Sequence, residues 1–122
     1  MMEFNDNKPI YKQIVDYAFN RIISGSWSPG LMIPSVRELA ADLGVNSRTV
    51  LKAMENLQDL QLIEPKRGMG FILMEDASAK VMKARRKEFF DITLPEFLKE
   101  IEILGIPRDE LIERINSETK FN

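Results

Sequence analysis

Cysteine is absent from this 122-residue chain, so disulfides and thiolate metal sites are both excluded, and a reducing compartment suits it. Histidine is absent as well, which removes the commonest general base and the commonest zinc ligand. Carboxylates are plentiful, but no two of them stand in a glycine-rich or cleft-like context. The chain therefore reads as a non-enzyme with no cofactor and no metal. It also lacks any run of about 18 apolar residues, the minimum for a membrane span. The opening Met1-Met2-Glu3-Phe4-Asn5-Asp6 is too acidic and too poor in apolar residues for a signal peptide. The expectation is a cytoplasmic protein that does not touch the membrane.

Excess positive charge is lacking too. The net charge is -2, and its distribution matters more than its sum. Residues 1–74 carry eight Lys/Arg against eight Asp/Glu, and residues 75–122 carry nine against eleven. A neutral module still binds nucleic acid if its cations share one face, because phosphate contacts are local. Composition permits such a partner without arguing for it.

What is present is a clear succession of helical signals. Pro9 suits a first helical position, and Ile10, Ile14, Ala18 and Ile22 recur every four residues up to Ser24, with Tyr11 and Tyr17 flanking that face. Gly25 is a helix stop, Ser26-Trp27-Ser28-Pro29-Gly30 reads as a turn, and Leu31-Met32-Ile33 is short enough to be a minimal strand. Ser35-Val36-Arg37-Glu38 has the form of a capping box. It opens a brief helix with Leu39, Ala40 and Leu43 inward, closed by Gly44. Asn46 caps a longer helix to about Leu60, on which Val50, Ala53, Met54 and Leu57 form the buried stripe. Ser47, Arg48, Leu51 and Lys52 fall on the opposite side.

Two helices separated by Gly44-Val45-Asn46 make a helix-turn-helix by spacing alone. Leu62-Ile63-Glu64-Pro65 and Phe71-Ile72-Leu73-Met74 then read as two strands around the basic turn Lys66-Arg67-Gly68-Met69-Gly70. A helix-turn-helix followed by such a hairpin is the outline of a winged helix. The fold class expected is mainly α with a small β-hairpin: a winged helix-turn-helix over residues 1–74 and a short helical dimerisation region over 75–122. In that tail, Glu75 to Ile92 is compatible with helix and contains the basic run Lys80 to Lys87. Phe89 and Phe90 follow, then a stripe of Leu94, Phe97, Leu98, Ile101 and Leu104. Gly105 closes it, and a last helix after Pro107 carries Leu111, Ile112 and Ile115. Only the last few residues look frayed. A unit this small buries too little to stand alone, so it packs on the winged helix or, as its Phe- and Leu-rich stripes favour, on a second copy through Phe89, Phe90, Leu94, Phe97, Leu98 and Ile101.

Pro34-Ser35-Val36-Arg37-Glu38-Leu39-Ala40 is less generic than the rest. With Pro9-Ile10-Tyr11, Leu43-Gly44-Val45, Thr49-Val50 and Gly68-Met69-Gly70-Phe71, in that order along the chain, it resembles the DNA-binding domain of the GntR family over roughly residues 9–74. The short helical tail resembles the family's YtrA-like branch. The resemblance implies a homodimeric repressor on palindromic double-stranded operator DNA, with recognition helices in successive major grooves and wings towards the minor groove. It also implies control of its own operon and of adjacent ABC transporter genes. Carried over by position, the DNA-contacting residues fall on Ser35 and Arg37, on Asn46, Ser47, Arg48, Thr49 and Lys52, and on Arg67 and Gly68 of the wing, with Lys66 beside them.

The residue chemistry agrees with those roles. The first turn of a recognition helix aims free amides and side chains into the groove, and Arg48 suits a bidentate guanine contact. Many family members have arginine where this chain has Ser47 and Leu51, which implies a less guanine-directed readout. Leu51 is either a thymine-methyl contact or a packing residue. The run Lys80 to Lys87 is either a solvated face paired with tail carboxylates or an extension of the footprint. A winged helix that serves a protein partner is the alternative function. The residues name no small-molecule effector.

Overall fold

A computed structural model describes residues 2–118; the last four residues, expected to fray, lie outside them. The chain divides into two compact units, residues 1–84 and 85–122.

The first unit begins with α1 (Ile10–Ser24). Pro9 is its N-cap rather than its first helical residue, with an extended backbone at φ -53° and ψ 146° whose carbonyl receives the amides of Lys12 and Gln13. The helix buries Ile14, Val15, Ala18, Phe19 and Ile22. Ile10 was expected on that inward face but is 45% exposed. One turn above Ile14, the first residue of the helix overhangs the end of the core rather than covering it.

α2 (Val36–Leu43) starts as its sequence dictates. The Glu38 amide donates to the Ser35 hydroxyl oxygen at 3.1 Å, and the Ser35 amide donates to the Glu38 carboxylate at 3.2 Å. Two of the helix's unpaired amides are thereby satisfied. Gly44 ends α2 at φ +70°, in the left-handed region that side chains resist, and the Val45 amide closes onto the Ala40 carbonyl at 3.0 Å.

α3 (Ser47–Asp59) buries Val50, Ala53, Met54 and Leu57 completely. It stops where Gln61 turns left-handed at φ +60° and the Leu62 amide reaches back to Leu57 at 3.0 Å.

β1 (Ile63–Lys66) and β2 (Gly70–Leu73) pair antiparallel, Ile63 opposite Leu73 and Lys66 opposite Gly70. The Leu31-Met32-Ile33 segment joins the outer edge of β2. Met32 bridges Ile72, the Ile33 amide donates to Phe71 at 3.0 Å and the Leu73 amide to Leu31 at 3.0 Å. The wing is thus anchored along its β2 edge to the segment that leads into α2.

The first unit extends past Met74. In α4 (Ala77–Glu88), Ala77 and Val81 are fully buried with the winged-helix core. The core therefore takes in two turns of a helix whose apolar spacing runs on towards the tail.

The second unit holds the last turn of α4, a π-helical segment (Phe89–Thr93), α5 (Leu94–Leu104) and α6 (Arg108–Glu118). The wide turn has a physical cause. Pro95 has no amide to give the Asp91 carbonyl, and its ring crowds that carbonyl. The Leu94 amide instead bonds Phe89, five residues back. Among the described residues of this unit no side chain is buried.

Candidate nucleic-acid interface

The turn between α2 and α3 sets the geometry of the site. Asn46 caps α3 through its side chain, which accepts the Arg48 amide at 2.8 Å, while its carbonyl receives the amides of Thr49 and Val50. With Val50, Ala53, Met54 and Leu57 committed to the core, the helix has one free face, carrying Ser47, Arg48, Leu51 and Lys52, all exposed. Leu51 is 43% exposed. Of its two possible roles, the structure leaves it at the surface rather than in the packing. Thr49 is half-buried at the margin of this face.

At the start of α2, Ser35 is half-buried and occupied as a cap, whereas Arg37 is exposed. On the wing, Lys66, Arg67 and Gly68 are exposed at a turn closed by the Met69 amide on the Lys66 carbonyl at 2.8 Å. Gly70, at φ +105°, ends this turn. A Cβ there would lie 3.2 Å from the Met32 methyl, in a conformation side chains rarely adopt.

Charge accounting separates two groups of cations. Among the described residues, Arg37, Arg48, Lys66 and Arg67 form no ion pair. They are exposed with their charge unspent. The tail's basic run is different. Lys80 pairs with Asp76 at 3.1 Å and donates to the Gln61 carbonyl at 3.2 Å. Lys87 pairs with Asp91, whose carboxylate accepts its hydrogen bond and raises its pKa above the usual lysine value. Arg86 lies 5.9 Å from the centre of the Phe90 ring. The solvated, internally paired reading of this run fits these contacts.

Sequence reasoning did not foresee a contact made by the remaining cation. The Lys52 ammonium sits 4.2 Å from the centre of the Tyr11 ring. The sequence marks Tyr11 as a flank of α1 and as part of the Pro9-Ile10-Tyr11 motif, and neither points to Lys52. Nor did Gln13 stand out, although its buried amide ties the preceding segment to α1, donating to the carbonyls of Asn5 and Lys8 at 2.8 Å each.

The expected dimer residues all lie in the second unit. Phe89, Phe90, Phe97 and Leu98 are exposed, Leu94 and Ile101 half-buried. Phe89 and Phe90 meet edge to face at 5.2 Å.

A helix-turn-helix with an anchored two-stranded wing and exposed, unpaired cations on both defines a winged-helix DNA-binding protein of the transcription-regulator class. The pattern of the bacterial regulatory proteins of the gntR family matches residues 10–73, and the chain belongs to that family. Among curated relatives, the uncharacterized HTH-type transcriptional regulator YhcF of Bacillus subtilis is 31% identical over 118 residues, which span 97% of this chain and 96% of that protein. The HTH-type transcriptional repressor YtrA of the same organism is 36% identical over 77 residues, 63% of this chain and 59% of YtrA. Among solved structures, a GntR family transcriptional regulator from Listeria monocytogenes superposes with a TM-score of 0.77 at 34% identity, over 96% of this chain and all of that one. The DNA-binding domain of AraR, solved with its operator ORR3, matches 60% of this chain and 88% of its own at 26% identity and a TM-score of 0.53.

Proposed function

We propose that the protein is a homodimeric repressor that binds a palindromic operator in double-stranded DNA and controls its own operon. The observation that carries this reading is Arg48, exposed and free of any ion pair in the capped first turn of α3, with Lys52 one turn further on. That is where a recognition helix presents its base-reading side chains. Arg37, Lys66 and Arg67 flank it as phosphate-binding cations, while Ser35, Asn46, Ser47, Thr49 and Gly68 bring polar groups or bare backbone to the same surface. The operator complex of the AraR domain and the repressor description of YtrA support the same function. The resemblance to the YtrA-like branch extends the regulated genes to ABC transporter genes beside the operon. Such a protein works in the cytoplasm, at the nucleoid.

Dimerisation falls to the residues from 75 onward, and its interface to Phe89, Phe90, Leu94, Phe97, Leu98 and Ile101. Among the described residues of the second unit, 85–118, no side chain is buried, so this part has no core of its own and its apolar surface calls for a partner. A second copy supplies the two-fold symmetry that a palindrome requires.

The test is binding of the purified protein to DNA from its own upstream intergenic region across a salt series. Tight, salt-sensitive binding confined to one palindromic stretch is expected, with Arg48→Ala weakening it by about 1–3 kcal/mol. Weak binding that is equal on any DNA and indifferent to Arg48 would contradict the proposal and point to a protein partner instead.

A further inference from the structure

Tyr11 belongs to the first turn of α1, and Lys52 to the outward face of α3. They meet as a cation over an aromatic face, with 4.2 Å between the ammonium nitrogen and the ring centre. Two features keep the ring in place. It is half-buried against the core, and the chain leading into it is tied down. Pro9 receives the amides of Lys12 and Gln13, and the Gln13 side chain, 5% exposed, donates to Asn5 and Lys8 and accepts the Asn5 amide at 3.1 Å. Lys52 itself stays exposed. The ring covers one side of the ammonium, and its remaining N–H groups are free for an acceptor.

We propose that Tyr11 is a positioning residue of the DNA-reading surface: its ring is a fixed platform that holds the Lys52 ammonium in place for a phosphate or base edge, one turn beyond Arg48. This rests on α3 being the recognition helix. A lysine on a free helix face samples many rotamers and loses that freedom when it binds. A platform removes part of the loss before DNA arrives, as preorganisation does in general. The segment before α1 thereby acts on DNA reading through Gln13 and Tyr11.

Two measurements on the full chain test this. By NMR of the free protein, the Lys52 ε-methylene protons are expected to be shifted upfield by the ring, with the shift lost in Tyr11→Leu and kept in Tyr11→Phe. On operator DNA, Tyr11→Leu is expected to weaken binding about 2- to 5-fold, the scale of an exposed cation–π contact. Tyr11→Phe restores it, and in a Lys52→Met background Tyr11→Leu has no further effect. A general loss of folding would persist in that background, so the cycle separates positioning from stability. Equal losses in Tyr11→Phe and Tyr11→Leu would assign the role to the hydroxyl and overturn the proposal, as would additive losses in the double variant. Absence of the upfield shift alongside intact operator binding sinks the platform alone. Absence of any operator preference in the wild type sinks the recognition-helix reading as well.

Discussion

Val81 tests where the winged-helix core ends. It lies in the second turn of α4 and is 1% exposed, packed in the same cluster as Leu57, Leu62 and Leu73. Val81→Ala removes two methyl groups, each worth about 0.8 kcal/mol of burial. The space left behind adds about 24 cal/mol per Å³ that stays unfilled, or roughly 0.6 kcal/mol for a half-collapsed void. Alanine's better helix propensity gives back about 0.5 kcal/mol. The net loss is about 2 kcal/mol, which for a domain of this size lowers the melting temperature by roughly 8–16 °C. The assay is thermal unfolding followed by circular dichroism at one fixed protein concentration, since association shifts apparent stability. Met82→Ala, one residue on and 45% exposed, is the control and should change stability by less than about 0.5 kcal/mol. If the two variants melt alike, α4 is not part of the core and the account of the first unit is wrong.

Other expectations follow from the same structure. Ser35→Ala removes one half of the capping box and should cost about 1 kcal/mol in thermal stability; an unchanged melting point would mean that the cap contributes nothing. Replacing Phe97 and Leu98 together with aspartate should give a monomer by analytical ultracentrifugation that holds a half-site weakly. A variant that stays dimeric would move the interface elsewhere. Lys52→Met should lower the salt dependence of DNA binding by about one counterion, and an unaltered slope would take Lys52 out of the phosphate contacts.

The parts of the fold legible in the sequence are those with short-range causes. Ser35 and Glu38 lie three residues apart and satisfy each other, and Gly44 supplies the left-handed residue that its turn requires. The stripe of Val50, Ala53, Met54 and Leu57 leaves only one face of α3 free. What could not be read depends on distant partners. Ile10 continues the spacing of Ile14 and Ile22, yet only the placement of the core's edge decides that it overhangs. Ala77 and Val81 have the same apolar character as the stripes that follow, and periodicity does not say which core a helix joins. The platform under Lys52 pairs residues far apart in sequence. The π-helical segment has a local trigger in Pro95, but proline at a helix start is ordinarily read as a favourable first residue, which hides its effect on the turn before it.

The reading surface itself was legible because helix spacing fixes it. Once the inward residues of α3 are known, Ser47, Arg48, Leu51 and Lys52 must face out. The charge state of that surface was not. Net charge is -2, and only the structure separates the free cations Arg37, Arg48, Lys66 and Arg67 from those spent on Asp76 and Asp91. A chain of acidic balance is thereby left with exposed, unpaired cations on the helix-turn-helix and the wing.

The most direct test of the central claim is hydroxyl-radical footprinting of the full chain on its own upstream DNA. The account predicts two protected patches related by a two-fold axis, their centres one helical turn or a whole multiple of it apart, about 10–10.5 base pairs per turn, and both lost in Arg48→Ala. A single unpaired patch, or protection spread evenly along the fragment and unchanged in Arg48→Ala, would contradict it.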